Sequence, residues 1–513
     1  MRKKKVIKNV IFTLLLQFIT VICGFIVPRM IMKSFGSSVN GLVSSITQFL
    51  SYIVFLEAGI GPVIKSLLYK PIAEKDKNKI QAILKAAEKF FKTISKIFIV
   101  YIISLSVFFP IIMKGQFEIL YTFSLVIIIS ISTFMEYYMG MVYKLFLQAE
   151  QKKYIVSQIQ IVTTIINTIM IVILIKIGAN IQLVKLISTC IFVSRPIIIN
   201  IYVRKKYDID LKNVTQIEKI EQKWDGLAQH VASIVHTNTD VSILTILSKN
   251  ISEVSVYSVY YMVVKGIKQI MEAFTGGIED SFGDMIARGE QDKLCDNFNI
   301  YELVYYTIST ILYVSTLVLI IPFVKVYTLG INDVNYIRYT FAYLLIIGEF
   351  IWVIRQPYNN LIKAAGHFKQ TKNGAWLEAI INLILSIILV GKYGLVGVAI
   401  GTLISITIRT IEIIIYTSKN ILKRTMENNI KRAIVLILQF VLILIILRLT
   451  NLLINESIDS YFYLFKYAIQ VFAVISTIVI GSNILIYKKD VKELIKKMKR
   501  KGKKEDKNEN DKN

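Results

Sequence analysis

Cysteine is scarce in this chain of 513 residues, which contains only Cys23, Cys190 and Cys295. Cys23 and Cys190 lie within long apolar runs, so the sequence indicates neither a disulfide framework nor a cysteine-based metal site. Motifs for nucleotide chemistry are missing as well, because Leu42 stands where a phosphate-binding loop would need lysine. Zinc-binding spacing and a nucleophile elbow are also missing. We therefore predict a protein that has no cofactor, no bound metal and no enzymatic activity.

Acidic residues are scarce too, with 35 Asp and Glu against 61 Lys and Arg, so the net charge is +26. Such a surplus can indicate nucleic-acid binding, but here the basic residues cluster in the loops and tail between apolar blocks. Hydrophobic residues make up 54% of the chain. They come in blocks of about 20, the length that crosses a bilayer as a helix. We predict an all-α polytopic membrane protein that does not bind nucleic acid.

The apolar blocks predict about 14 transmembrane helices, with both ends of the chain in the cytoplasm. The segments assigned to the cytoplasm hold 44 of the 61 Lys and Arg residues, as the positive-inside rule requires. The first block lacks a small-residue cleavage site, so we expect it to remain as the first span. The predicted spans are 9–32, 41–69, 97–113, 119–147, 154–176, 181–203, 228–248, 254–286, 299–328, 337–362, 374–391, 395–418, 433–454 and 461–487.

A constant offset of 215 residues aligns the two halves of the chain, placing Glu57 on Glu272 and Asn167 on Asn382. The offset pairs spans 1–6 with spans 7–12. An even number of spans per repeat gives two six-helix lobes in a pseudo-two-fold arrangement, which is typical of transporters that bind substrate at the membrane midplane. The predicted parts are an N-lobe, a cytoplasmic linker, a C-lobe, two extra C-terminal helices and a basic cytoplasmic tail, at 1–206, 207–223, 224–420, 421–487 and 488–513.

Several charged residues fall inside the predicted spans, where each costs about 2.5–3.5 kcal/mol unless it faces a polar cavity or a partner. The candidates for binding an anionic substrate group are Arg29, Lys65, Lys265 and Lys268. The i, i+4 spacing of Lys268 and Glu272 predicts a pair, which would leave Lys265 as the freer cation. The candidates for coupling transport to an ion are Asp240, His236, Glu57 and Glu272. A helix–helix hydrogen bond explains the first two equally well.

The remaining charges have simpler interpretations. Arg409 can pair with Glu412, and we expect Arg355 at the membrane interface, where a long side chain reaches water. The loop 70–96 is amphipathic and basic, as is the start of the tail after residue 488. Both are expected to lie on the anionic lipids of the inner leaflet.

A longer pattern lies near the N-terminus, in the segment VPRMIMKSFGSSVNGLVSSITQFLSYIVFLEAGIGPVIKSLLYKPIAEKD. Its order of PR, FG, NGL, LEAG and LY.P resembles the Wzx-type polysaccharide flippases of the multidrug/oligosaccharidyl-lipid/polysaccharide exporter superfamily. The resemblance implies transport of undecaprenyl-diphosphate-linked repeat units from the inner to the outer leaflet, by alternating access, for a capsule, exopolysaccharide or O-antigen-like polymer. It also implies that Arg29 meets the lipid diphosphate.

The same resemblance implies a bacterial cytoplasmic membrane, a monomeric transporter, and a polysaccharide polymerase and glycosyltransferases as further partners. Three other functions stay open. A cation-coupled multidrug extruder of the same superfamily would use acidic residues such as Glu57, Asp240 and Glu272. A lipid II flippase is chemically close to a polysaccharide flippase. A membrane glycan polymerase or ligase would need an outward-facing catalytic loop, which the short outer loops argue against.

Overall fold

The computed structural model describes residues 2–57, 60–209, 211, 214, 239–248, 250–273, 278–453 and 458–496. Over these residues the chain is helical almost throughout and has no β-strand, which confirms the all-α prediction. Eleven of the described helices are long and apolar enough to cross a membrane, and they match eleven predicted spans. The number 14 stays a prediction, because the other three spans fall on interrupted helices or partly outside the described residues: 228–248, 254–286 and 337–362.

The chain divides into two compact units. Unit 1 comprises Met1–Ser258 and Gly330–Val334, and unit 2 comprises Val259–Leu329 and Asn335–Asn513. The predicted boundaries of the lobes, linker and tail stay predictions. The helices of unit 1 are α1 (Arg2–Phe35), α2 (Ser37–Ser51), α3 (Val54–Glu57), α4 (Ile60–Glu74), α5 (Lys77–Ile112), α6 (Ile119–Met135), the π-helical turn π1 (Glu136–Gly140), α7 (Met141–Ala149), α8 (Lys153–Lys176), α9 (Ile181–Tyr207) and α10 (239–247).

Helix α11 (Ser252–Ala273) begins in unit 1 and continues in unit 2. The other helices of unit 2 are α12 (Ile278–Ala287), α13 (Gln291–Tyr327), α14 (Tyr339–Ile354), α15 (Gln356–Ala364), α16 (Phe368–Tyr393), α17 (Leu395–Thr417), the π-helical turn π2 (Ser418–Leu422), α18 (Glu427–Leu449), α19 (Tyr461–Ile486) and α20 (488–496).

Local side-chain contacts fix several helix ends. Asp76 and Asn180 cap α5 and α9, because their side-chain oxygens accept the backbone N–H groups of the third residue beyond, at 3.0 and 2.9 Å. Gly36 has a φ of 89°, which glycine adopts without strain, and it separates α1 from α2. Asp333 then caps α2 from a distant loop, accepting the backbone N–H of Ser37 at 2.6 Å and its hydroxyl at 2.7 Å.

Helix α5 corrects one prediction about the basic loop 70–96. Residues 77–96 of this segment form the start of a continuous 36-residue helix rather than a separate helix lying on the membrane, and residues 70–74 belong to α4. Its apolar side chains are buried in the protein, among them Ile83, Leu84 and Phe91. At about 1.5 Å per residue the helix is longer than the bilayer core. Its basic first part therefore continues the same helix beyond the apolar part that crosses the membrane.

The two C-terminal helices are packed firmly against the rest of unit 2. Buried residues of α18 and α19 form one apolar cluster with α13, including Ile443, Val471 and Ile475. A polar contact crosses the same interface, since the amide of Asn483 donates to the hydroxyl of Thr307 at 2.8 Å. These helices are therefore part of the unit's core.

Candidate functional site

Unit 1 contains a pocket of about 380 Å³, here called the charged pocket, which is lined by α3, α4, π1 and α7. Two predicted site residues, Glu57 and Lys65, lie together in its wall. The other polar lining residues are Glu136, Tyr137, Lys144 and Gln148. The charged pocket therefore combines two carboxylates and two lysines within or next to segments that are apolar enough to cross a membrane.

Irregular helix geometry positions these side chains. The π-helical turn π1 carries Glu136 and Tyr137. Such turns insert one extra residue into a helix and are frequent at functional sites. Gly140 ends π1, and a Cβ atom there would lie 2.9 Å from the Cβ of Pro196 and 3.5 Å from the Glu136 carboxylate. Glycine at this position therefore allows α9 to approach π1 while the acidic side chain keeps its place.

Hydrogen bonds hold both carboxylates of the charged pocket. The hydroxyl of Tyr137 donates to Glu57 Oε2 at 2.9 Å, and Lys144 Nζ lies 2.9 Å from Glu136 Oε1. Lys65 is half-buried, and among the described residues it has no ion-pair or hydrogen-bond partner. It is the lysine of this pocket whose ammonium is available to bind an anion, while Glu57 is a carboxylate held by a neutral donor.

The predicted cations on α11 differ sharply from each other. Lys265 is exposed and, within the described part of the chain, has no ion-pair partner. Lys268 is buried, its Nζ lies 3.0 Å from Glu349 Oε2, and it sits 3.5 Å from the ring centroid of Trp352. The predicted pairing of Lys268 with Glu272 is therefore wrong. Lys268 pairs with Glu349 of helix α14 instead, because both groups are buried and burial strengthens their attraction, whereas Glu272 is exposed.

Arg29 and the predicted coupling residues lie elsewhere. Arg29 is half-buried in α1, directly after Pro28, where other groups of the protein engage it, and it does not line the charged pocket. Asp240 is buried in α10 and accepts a hydrogen bond from the hydroxyl of Tyr257 at 3.1 Å. His236 lies outside the described residues. The roles of these residues as phosphate-binding or ion-coupling groups stay predictions.

Asp240 lies near a hydrogen-bonded seam in unit 1, which joins α2 to residues 239–248 and 250–258. The hydroxyl of Thr245 donates to Ser45 at 2.7 Å, and the amide of Asn40 donates to Ser255 at 2.8 Å. A Cβ atom at Gly41 would collide with the carbonyl group of Ile251, so the two segments approach as closely as glycine permits. Asp240 therefore sits next to a tightly packed polar contact.

Unit 2 contains two further ion pairs that involve buried arginines. Arg409 contacts Glu412 at 2.8 Å, which confirms that pairing. The expectation of an interfacial Arg355 is wrong, because this arginine is buried and lies 2.9 Å from Glu378. Its partner Glu378 comes from α16, and no sequence pattern indicates which helix packs beside Arg355. The described residues contain no group of three or more His, Cys, Asp or Glu side chains that could hold a metal ion.

Five polar residues of the charged pocket and of the Lys268 ion pair were not predicted: Glu136, Tyr137, Lys144, Gln148 and Glu349. Glu136 and Glu349 carry a sequence signal, since each is an acid inside an apolar run. Lys144 lies near the end of the predicted span 119–147 and was not selected as a site residue, yet α7 continues the helix past it and brings it into the pocket. Tyr137 carries no signal of its own, because tyrosine is common in this chain, with 28 copies.

The fold is similar to those of solved transporter structures. One is titled "Lipid II flippase MurJ, inward closed conformation", with a TM-score of 0.61, 16% sequence identity, and coverage of 93% of this chain and 100% of that chain. Another is an inward-facing "multidrug resistance MATE family transporter of the MOP superfamily", with a TM-score of 0.55, 13% identity, and coverage of 79% and 95%. No protein-family model and no curated protein sequence matches the chain.

Identities this low establish a shared fold and nothing further. The chain thus shares its fold with these two solved transporter structures. The similarity does not single out the polysaccharide branch.

Proposed function

We propose that the chain is a flippase that moves undecaprenyl-diphosphate-linked oligosaccharide repeat units from the inner to the outer leaflet by alternating access. It would act in the bacterial cytoplasmic membrane, with both termini in the cytoplasm, in the synthesis of a surface polysaccharide. The observation that carries the proposal is Lys65, whose ammonium is unpaired among the described residues and lies inside the charged pocket. A charge at membrane depth is costly, and an anion that binds and leaves explains why it is present.

The chemistry of the charged pocket suits the head of such a substrate. A lysine binds phosphate as a point charge, and Gln148, Tyr137 and the carboxylates offer donors and acceptors to sugar hydroxyl groups. The lipid part can stay in the bilayer. Because the cell interior is electrically negative, outward movement of an anion gains about 2.3 kcal/mol per charge per 100 mV. Transport would therefore need no nucleotide hydrolysis.

The coverage of the two similar structures also favours a lipid-linked substrate. The structure titled as a lipid II flippase aligns with 93% of this chain, whereas the multidrug transporter aligns with 79%. The two C-terminal helices are packed into the core of unit 2, so a relative that includes such a large share of the chain is the more informative comparison.

A multidrug extruder is the second candidate, and the acids of the charged pocket favour it. Glu57 and Glu136 could bind a cationic drug as readily as Lys65 could bind a phosphate. A lipid II flippase is the third candidate, since lipid II also carries a diphosphate. Glycosyltransferases and a polysaccharide polymerase would be the functional partners only under the first proposal.

Deletion of the gene distinguishes the three functions. We expect loss of surface polysaccharide and accumulation of undecaprenyl-diphosphate-linked repeat units, identified by mass spectrometry of extracted lipids. Normal surface polysaccharide with raised sensitivity to cationic drugs would replace the proposal with an extruder. Accumulation of lipid II with arrested wall synthesis would replace it with a lipid II flippase.

A further inference from the structure

Unit 2 contains a buried lysine, Lys268, whose ammonium is bound by other side chains of the protein. Lys268 and Glu349 are each 7% exposed, their charged atoms are 3.0 Å apart, and the ammonium also lies 3.5 Å from the ring centroid of Trp352. The lysine comes from α11, and both of its partners come from α14. Together the three side chains form the Lys268 cluster.

Stability alone does not account for this cluster. A buried ion pair costs its full desolvation, and well-packed apolar residues in its place are often neutral or stabilising. Lys265, three residues earlier on the same face of α11, is exposed. A charged, exposed side chain within a predicted span indicates that this face meets a polar environment rather than hydrocarbon. A ligand that reaches Lys265 is therefore one helical turn from Lys268.

We propose that Lys268 is a phosphate-binding residue and that Glu349 is its internal competitor, which sets the charge a ligand must carry to bind. The inference rests on the proposed function and deepens it. Phospholipids with one negative charge are abundant in an anionic leaflet. If Glu349 did not pair with Lys268, these lipids would occupy Lys265 and Lys268. Such a lipid offers Lys268 no more charge than Glu349 already does. A diphosphate carries at least two negative charges and several oxygens, so it can displace Glu349 and contact Lys265 as well.

The surroundings of Glu349 are suited to the release of the lysine. The hydroxyl of Tyr313, from α13, is buried and has no hydrogen-bond partner among the described residues. Tyr313 interacts electrostatically with Glu349, and its ring packs 5.7 Å from that of Phe350, the next residue of α14. After the ammonium turns toward a ligand, this hydroxyl would donate to the Glu349 carboxylate, which would lower the free-energy cost of separating the ion pair.

Trp352 gives the cluster its own reporter. The chain has only three tryptophans, so replacing Trp224 and Trp376 by phenylalanine leaves Trp352 as the single one. Departure of the ammonium from its ring changes the emission of this tryptophan. The probe is undecaprenyl diphosphate, added to the single-tryptophan protein in nanodiscs of neutral lipid, with phosphatidylglycerol added as the monoanionic competitor and inorganic pyrophosphate as the lipid-free one.

In the protein with Glu349 intact, undecaprenyl diphosphate should change the emission, and phosphatidylglycerol should raise its apparent Kd less than about twofold. In Glu349→Gln the diphosphate should bind more tightly in neutral lipid, and phosphatidylglycerol should weaken it about tenfold or more. The matched control is Glu290→Gln, an acid outside the cluster on a surface ion pair, which should behave as the parent. If pyrophosphate competes, the site recognises the diphosphate group alone. If pyrophosphate does not compete, the site recognises the diphosphate only when it is attached to the lipid.

The inference is overturned if Glu349→Gln discriminates against phosphatidylglycerol as well as the parent does. It is also overturned if the double variant Lys268→Met/Glu349→Leu, which removes both charges and so avoids a folding defect from an unpaired one, exports glycan normally. The proposed function fails separately, if the parent protein ignores undecaprenyl diphosphate and gene deletion leaves surface polysaccharide intact. The two failures are therefore distinguishable.

Discussion

Charged groups are arranged differently in the two units of the molecule. In unit 1 they line an open pocket, where Glu57, Lys65 and Glu136 are only half-buried. In unit 2 they are mostly closed into buried groups, such as Glu302 with Arg424 and Arg432. Since water and ligands reach the charged pocket but not the Glu302 group, the charges of the pocket are suited to binding and those of the Glu302 group to holding helices together.

The Glu302 group shows what the closed arrangement does. Glu302 is 0% exposed on α13, and its Oε2 lies 2.7 Å from Nε of Arg432 on α18. Arg424 approaches the same carboxylate at 3.4 Å, and the hydroxyl of Tyr358 donates to it. One carboxylate thus ties α15 and α18 to α13.

The largest effect is expected from breaking that group. Glu302→Gln leaves two arginines buried without their counter-charge, so it should lower the free energy of unfolding by about 3–5 kcal/mol. Denaturant or thermal unfolding in detergent measures it. The matched control is Asp284→Asn, which opens an exposed pair with Arg288 and should change stability by less than about 0.5 kcal/mol. Equal losses in the two variants would show that burial does not separate the two kinds of charge.

Lys65→Ala should have the next largest effect, on export rather than on stability. If Lys65 binds the diphosphate, its loss should reduce export about tenfold or more. The free energy of unfolding should change little, because Lys65 has no ion-pair or hydrogen-bond partner among the described residues. Surface polysaccharide at matched expression is the measurement. Lys70→Ala on the same helix is the control, since Lys70 is exposed and, among the described residues, pairs only with Glu74. Normal export by Lys65→Ala would remove the pocket from the binding site.

Sequence reasoning found the helices more reliably than the partners of charged residues. Apolar runs of membrane length have essentially one solution, so eleven spans were predicted at their observed places. Helical spacing can bring Lys268 to Glu272, but it carries no information about which neighbouring helix faces Lys268. Glu349 is 81 residues away in the chain, and its choice as partner depends on how α11 packs on α14.

The charged pocket was half predictable for the same reason. Glu57 and Lys65 stand out as charges near a Gly-Pro break in an apolar run. Their opposite wall depends on π1, and a single inserted residue in a helix leaves no recognisable pattern in apolar periodicity. The same limit explains α5, where the sequence showed an amphipathic face but could not show that protein covers it.

Asp240→Asn tests a charge of unit 1 that is buried instead of lining the charged pocket. Asparagine keeps an acceptor for Tyr257 and fits the same space, so folding and expression should be nearly unchanged. If Asp240 couples transport to an ion, export should fall several-fold and lose its dependence on the ion gradient. Tyr257→Phe is the control, because it removes the hydrogen bond but leaves the acid. Full export by Asp240→Asn would show that the residue has only a structural role, like the buried ion pairs of the Glu302 group.

The smallest effect is expected from Tyr137→Phe, and it gives the most direct test of the contrast between the units. Tyr137 donates to Glu57 in the open pocket, and Tyr358 donates to Glu302 in the closed group, where its hydroxyl also accepts from Arg424 at 3.3 Å. The same substitution therefore removes a hydrogen bond to a carboxylate in both places. Water can replace the lost donor only where it reaches the carboxylate.

Tyr137→Phe should therefore cost about 1 kcal/mol of unfolding free energy or less, whereas Tyr358→Phe should cost about 2–3 kcal/mol, the range for a buried hydrogen bond to a charged group. Both values come from the same unfolding assay, and only their difference matters, so errors of the method common to both variants cancel. If the two losses are equal, the carboxylate of Glu57 is as dry as that of Glu302. The charged pocket would then be closed in solution, and Lys65 could not exchange a bound anion with either leaflet.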